Sequence, residues 1–416
     1  MKKEKNQNRC NENKKLTIIT QFYPPDYAAT GQLIAELASE LSKLGVQVDI
    51  FTGQPGYVFD QEKKHSPPKY EMVGQVWVQR TRTSRLWPGR IRGRAFNGLF
   101  FTLRAGIHLL KPKNRPDVLL LTTEPPYLPI LGYIVNFFLH IKYISLIYDI
   151  YPDVAVELKV VSQDNWVVVL WKWLNSQVWK RAERIIVLSA TMKERVAAQY
   201  TGITAKLSVI HSWANPAEIK PMNKEENWFA KEFNLVDKFT VLYSGNLGRC
   251  HDLETILRVV AKLKDESINF VFIGHGVKLQ FCQAQVKELG ITNCQFLPYQ
   301  DKSVLPYSLT ACDLSLVSVE RGTEGLVAPS KLYGILAAGK PVAVVCSPGC
   351  YLREMLAEAG CGEGFDNGDD EGLANFIRRL AADSELVKSL GNAGRQYLME
   401  NFTPEIIAKQ YLAVLQ

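Results

Sequence analysis

Eight cysteines (Cys10, Cys250, Cys282, Cys294, Cys312, Cys346, Cys350 and Cys361) are spread over 416 residues with no CxxC pair. No histidines stand near them at zinc-finger intervals, so neither a structural zinc site nor a redox CxxC motif is encoded. Several lie in apolar runs, as buried free thiols do, and the set suits a reducing compartment. Cys346 and Cys350 stay open as a redox pair. No GxxxxGK[ST] loop occurs and no GxGxxG follows the first strand-like run, which removes support for P-loop ATP hydrolysis and ordinary NAD binding. HExxH and GxSxG are missing too, and with them the commoner hydrolase readings. Long uncharged apolar runs are also scarce. The one candidate span, residues 128–148, carries Asn136, His140 and Lys142 and changes midway from helix-like to strand-like. It reads as a buried helix followed by a buried strand, against a true membrane crossing. The charged residues 1–14 precede only the short run LTIIT, too little for a signal-peptide core, so they read as a disordered tail before a first strand.

What is present fits a folded protein of two or three domains, with 47% hydrophobic and 22% charged residues. Net charge is +7, and it is unevenly placed. Residues 80–115 combine many Arg and Lys with Trp87, Phe96, Phe100 and Phe101. A nucleic-acid patch has a similar composition, but the run FNGLFFTLRAGIHLL is strongly apolar. Cations mixed with aromatic anchors favour an anionic membrane surface and no nucleic acid. A basic loop followed by a core helix competes with that reading.

The period of the hydrophobic pattern predicts two repeats of one architecture. LTIITQF (16–22) reads as a buried parallel strand, YPPDYAATG as a turn, and QLIAELASELSKLG as an amphipathic helix ended by Gly45; VQVDIFT (46–52) returns as a strand. This is a βαβ unit. Strands are expected again at 117–123, 143–150 and 184–190. After HSWANPAEIKP the pattern restarts: strands at 239–245, 268–274, 294–299, 313–319 and 341–345, with a helix at 252–264 that Asp252 would cap. The expected fold class is α/β, with two tandem Rossmann-like doubly wound domains facing across a cleft. The units would be residues 15–210 and 211–403. A last helix at 404–416 would either cap the second domain or cross back to the first.

In such sheets ligands bind beyond the carboxyl ends of the strands, and the residues with chemistry lie there. EGLVAPSKLYGILAAGKPVAVV (324–345) places a Gly/Pro turn, Ser330 and Lys331 before a short helix, a pattern suited to a diphosphate. YSGNLGRCHD (243–252) sets Gly245, Asn246, Arg249 and His251 ahead of another helix. Gly274, His275 and Gly276 end one strand, where a flat base could approach the backbone; Leu297 to Tyr299 end another, where stacking on a base and a simple edge turn explain the residues equally well. Glu320 and Glu324 follow a strand end, where a carboxylate accepts hydrogen bonds from sugar hydroxyls. In the first half, Asp149 ends an apolar strand, where burial is costly without a partner. Asp153 and Glu157 read as helix-start charges.

Together these residues resemble the retaining glycosyltransferases of family 4, which have the two-domain GT-B fold. Within that family the chain is most similar to bacterial enzymes that build exopolysaccharide and colanic-acid-type repeats on a lipid carrier. FYPPDYAATGQLIAELASEL, YDIYPDVAVEL, WANP, YSGNLGRCHDLETI and GLVAPSKLYGILAAGKPV occur in the family's order, from about residue 14 onward. The resemblance implies metal-independent sugar transfer, with no cofactor beyond a nucleoside diphosphate sugar donor. It also implies a polyprenyl-diphosphate-linked saccharide acceptor at the cytoplasmic face of the membrane, where the protein would be peripheral. Carried over by motif, Arg249 and the amides of Leu326 and Val327, helped by Ser330 and Lys331, would hold the donor diphosphate, with Gly325 in the same donor-binding turn. Gly245 and Asn246 would lie in the same loop, Glu324 would face the donor sugar, and Gly31 would admit donor or acceptor to the backbone. Asp149 would lie near the acceptor hydroxyl or the donor sugar. Two departures stand out. The loop at 245–252 keeps Arg249 as its permanent cation, and Gly334 stands where the family's ribose-binding glutamate falls. A sugar-nucleotide 2-epimerase and a non-catalytic nucleotide-sugar-binding scaffold are the alternatives.

Overall fold

A computed structural model describes residues 14–26, 28–55, 67–82 and 91–416; the side chains of residues 91, 92 and 94 are not described. The expectations for residues 1–13, Cys10 and Trp87 fall outside the described residues. The first half is built from β1 (Lys15–Ile19), α1 (Ala29–Lys43), β2 (Gln47–Gly53), β3 (Tyr70–Val73), β4 (Val76–Thr81), α2 (Ile91–Leu110), β5 (Val118–Thr122), α3 (Leu128–Leu139), β6 (Lys142–Ile147), α4 (Asp153–Glu157), α5 (Trp166–Arg181), β7 (Arg184–Val187), α6 (Ala190–Gln199) and β8 (Leu207–Val209). The second half is built from α7 (Trp228–Glu232), β9 (Phe239–Ser244), α8 (Glu254–Lys262), β10 (Ile268–Ile273), α9 (Leu279–Glu288), β11 (Cys294–Leu297), α10 (Leu305–Thr310), β12 (Leu314–Ser318), α11 (Lys331–Ala337), β13 (Val342–Val345), α12 (Tyr351–Ala359), β14 (Gly362–Phe365), α13 (Asp370–Ala382), α14 (Ser384–Asn401) and α15 (Pro404–Leu415).

The strands form an eight-stranded sheet, β3-β4-β2-β1-β5-β6-β7-β8, and a six-stranded sheet, β11-β10-β9-β12-β13-β14. Every pairing is parallel except β3 with β4. The strand order reverses between β1 and β5 and between β9 and β12. Right-handed crossovers therefore put α1 on one face of the first sheet and α2, α3, α5 and α6 on the other. Residues 128–148 are a helix then a strand, because Asn136 uses its amide to bond the Ile141 carbonyl at the turn between them (2.9 Å).

Three expectations change. Helix α1 begins at Ala29, so Gly31 lies inside it and not in a turn. A Cβ there would stand 2.9 Å from the Phe22 carbonyl carbon, so the glycine lets α1 pack onto the loop after β1. Arg80 is not part of a cationic surface: it is 2% exposed, donates to the Pro24 carbonyl at 2.7 Å, and pairs with Glu71. Phe101, counted among the surface aromatics, is buried against Phe51. The β3–β4 hairpin and the edge strands β8 and β14 add to the pattern read from the sequence; they are short, and three of the four residues of β14, GEGF, are Gly or Glu rather than apolar.

The last helix packs against α1. Its Ile407, Ala408 and Tyr411 are buried, Lys14 reaches the Leu415 carbonyl at 3.2 Å, and the Trp213 indole donates to Glu36 of α1 at 3.1 Å. The chain thus returns to its first sheet after completing the second.

Candidate functional site

The carboxyl ends of the two sheets meet. Ile150, past β6, donates its amide to the Leu326 carbonyl at 3.1 Å. Arg195 of α6 donates to the carbonyls of Gly322 and Glu324 at 3.0 and 2.9 Å, and the Tyr351 amide donates to the Thr191 hydroxyl at 3.0 Å. Gly325 has φ +71, and a Cβ on it would stand 2.7 Å from the Thr191 carbonyl oxygen. A glycine is required there because the loop presses on the opposite half.

On the second-half side, the loops after β9 and β10 interlock. Gly245 donates to the Ile273 carbonyl (2.8 Å), Leu247 to the His275 carbonyl (2.9 Å) and Gly274 to the Leu297 carbonyl (3.1 Å). Gly274 sits at φ +139, and a Cβ would be 2.0 Å from the Gly245 oxygen. These bonds bring together Gly245, Asn246, Gly274, His275, Gly276 and Leu297, with Tyr299 exposed at the rim. Arg249 is exposed, and no hydrogen bond or ion pair holds its guanidinium among the described residues. Asp252 lies one residue ahead of the α8 N-cap, Leu253, and accepts from the Thr255 amide at 2.9 Å.

Lys331 is the electrostatic centre of this side. Its ammonium is buried without a hydrogen-bond partner, stands 3.7 Å from the Tyr243 ring centroid, and lies against Gly245. Burial lowers its pKa to about 7. The neighbouring His251 imidazole bonds the Ser318 carbonyl at 2.8 Å, and burial, then the Lys331 charge, hold its pKa down at about 3. A buried amine with open valences is a place for an anion.

The remaining expected contacts are partly committed inside the protein. The Leu326 amide donates to the Thr323 carbonyl (3.0 Å), so it is not free to point at a diphosphate in this conformation. One oxygen of the Glu324 carboxylate accepts from the Gly322 amide at 2.7 Å and the other from the Ser347 amide at 3.3 Å, with the Ser347 hydroxyl beside it. Glu324 therefore shapes the loop that carries Val327 and Ser330. Glu320 pairs with Lys278 at 3.0 Å; Lys278 also holds Glu254 and the His251 carbonyl, so it braces the Arg249 loop. A Cβ at Gly334 would meet Leu309 Cδ1 at 3.2 Å, so α11 packs closely at that position.

Across the cleft, burial pushes the Asp149 carboxyl up to about 6. Its charge is felt by Cys250 in the opposite loop. Sequence reasoning missed Glu124. It follows β5, the strand beside β6; its Oε2 is buried with no partner. Burial, then the Asp149 charge, raise its pKa to about 7 against a hydrogen bond from Thr30. The signal was available as a lone carboxylate in TTEPP at the end of an apolar strand. Among the described residues no group of His, Cys, Asp and Glu is arranged to hold a metal ion. The pattern of a cation-bearing second-half edge facing a carboxyl-bearing first-half edge suits a bound anionic donor and a hydroxyl acceptor.

Residues 224–397 match the model of glycosyl transferases group 1, and residues 29–213 match that of a glycosyl transferase 4-like domain. The chain belongs to the family 4-like GT-B glycosyltransferases. The transferase is similar to a probable glycosyltransferase, WbjE, of Pseudomonas aeruginosa, at 28% identity over 79% of this chain and 81% of that one. It is 37% identical to a putative colanic acid biosynthesis glycosyl transferase, WcaI, of Escherichia coli K12, over 42% of each chain. The fold is that of a sucrose-phosphate synthase from Thermosynechococcus elongatus (TM-score 0.77, 16% identity, 97% of this chain and 98% of that chain). It is shared with HepE of Anabaena, solved with UDP-glucose (TM-score 0.72, 14% identity, 97% and 99%).

Proposed function

We propose that the enzyme is a retaining glycosyltransferase of polysaccharide biosynthesis. It would move a sugar from a nucleoside diphosphate sugar to a polyprenyl-diphosphate-linked saccharide at the inner face of the cell membrane. The unpartnered ammonium of Lys331 at the strand ends of the second half, with the buried carboxyls of Asp149 and Glu124 at the strand ends of the first, carries this reading. HepE, which shares the fold, was solved with UDP-glucose, and WcaI bears a colanic acid name.

In this reading residues 211–403 hold the donor and residues 15–210 the acceptor. Lys331 and Arg249 neutralise the diphosphate as the bond from the anomeric carbon to the phosphate oxygen breaks. The acceptor oxygen forms its bond on the same face, and its proton passes to a donor phosphate oxygen. The catalysis is electrostatic, by charges already in place, and these cations take the part a metal plays elsewhere. Asp149 and Glu124 orient the acceptor hydroxyl, and Glu324 holds its loop toward the sugar.

A panel of UDP-, GDP-, ADP- and TDP-sugars, followed by thermal stability, tests the assignment, since a ligand that binds the native state raises the melting temperature by mass action. One selective stabiliser is expected. Arg249→Ala and Lys331→Met should each weaken it by about 10- to 100-fold, the loss of one charge-assisted hydrogen bond. Donor breakdown in the absence of an acceptor would favour the epimerase. No shift with any donor at millimolar concentration would overturn the donor assignment.

A further inference from the structure

Helices α2, α3 and α5 lie side by side on one face of the first sheet, with α3 packed between the other two. Each is apolar on two opposite sides. In α2, Phe101, Ala105 and Leu109 face the sheet, while Phe100, Leu103 and Ile107 face outward, the last 60% exposed. In α3, Leu131 and Val135 are buried and Phe138 is 71% exposed; in α5, Val168 and Val178 are buried, while Trp166 is 74% and Trp173 57% exposed. A helix apolar all round belongs in a core or in lipid. More than half of the large apolar side chains exposed among the described residues sit on these three helices. This is a continuous patch and not the scatter of single residues normal on a soluble surface.

Charge selects the occupant. Residues 82–116 hold nine Arg and Lys and no Asp or Glu, and α5 adds the exposed Lys180 and Arg181, its Lys172 being paired with Asp153 at 3.0 Å. Cations flanking an apolar, tryptophan-bearing face match an anionic bilayer, where rings sit at the headgroup level and cations meet lipid phosphates. Among the described residues no helix is long and apolar enough to cross a membrane, so the face would lie in one leaflet. It also reaches the cleft: Trp171 of α5 stacks on Tyr151, two residues past Asp149, and Asn175 donates to the Tyr151 carbonyl at 2.6 Å.

We infer that α2, α3 and α5 form one insertion face that seats the enzyme in the hydrocarbon edge of an anionic bilayer, beside the acceptor side of the cleft. Basic residues bring the protein to the surface, and the outward Phe, Leu and Trp side chains hold it there. The inference rests on the proposed function only for the identity of the acceptor that the bilayer delivers.

Co-flotation of the full chain with phosphatidylcholine vesicles, with and without phosphatidylglycerol, tests it. Flotation with anionic vesicles is expected to persist in 0.5 M salt, where charges are screened beyond about 4 Å, and brominated acyl chains should quench the tryptophans. Phe138→Ser, Trp166→Ser and Trp173→Ser combined should lower partitioning at least about 100-fold, with the nucleotide-sugar thermal shift unchanged. Arg249→Ala should float like the wild type while losing that shift, which separates failure here from failure of the proposed function. Flotation abolished by salt, flotation retained by the triple variant, or a dimer that the triple variant dissolves in the absence of vesicle binding would each overturn the inference.

Discussion

Glu124 and Asp149 show how one residue's setting sets its chemistry. Both carboxyls are held protonated to unusual pH, near 7 and 6, chiefly by burial. Both values lie above those of the unfolded chain. The stability these groups contribute is therefore full below about pH 4 and is lost as pH rises through 6 and 7. Melting temperature should fall across that window. Glu124→Gln should flatten the fall and make the protein more stable than wild type at pH 8, by on the order of 3 kcal/mol. An unchanged pH profile would remove Glu124 from the buried pair. Asp149 was legible in the sequence because it ends a long apolar strand, YISLIYD. Glu124 was legible only as a lone carboxylate in TTEPP; the pairing of β5 with β6 is what brings it within reach of the Asp149 charge.

At the scale of elements, the loops after β9 and β10 act as one unit. Gly274→Ala would push a methyl group into the Gly245 carbonyl, and the conformation at φ +139 resists any side chain. The substitution should weaken donor binding about 10-fold or more and lower the melting temperature. Gly290→Ala is the control, since its φ of +63 carries strain but its Cβ would meet nothing within 4 Å. Equal donor affinities for the two variants would show that the interlocked loops do not shape the site. The glycine-rich strand ends were visible as GNLG and GHG. Their mutual contact was not, because two loops that are thirty residues apart have no common period.

For the whole molecule, α15 is the element that ties the halves together. It follows the second sheet in the chain yet buries Ile407 and Tyr411 against the first, and Tyr411 lies close enough to Tyr148 to raise that phenol's pKa together with burial. Deleting residues 404–416 should lower the melting temperature by about 3–7 °C, the effect of exposing two large side chains in a chain of this size. Calorimetry would show it, and an unchanged transition would mean that the halves hold together in its absence. Ion pairs from Lys302 to Glu36 and Glu218, at 3.0 and 3.1 Å, are exposed additions to this seam, each worth little alone.

The amino-acid sequence alone determined the alternation of strand and helix, the restart of the pattern after the WANP segment, and the motifs of the family. Those features are local: they follow from the period of apolar residues and from Gly, Pro and capping side chains within one turn. Tertiary structure decided the rest. It closed the Leu326 amide into a turn, buried the Lys331 ammonium, paired Glu124 with Asp149, turned Arg80 inward and Phe138 outward, and laid α15 on α1. Each of these depends on which surfaces meet across the fold. No window of sequence contains that information, because the residues that meet are brought together by sheet order and crossover handedness rather than by their spacing.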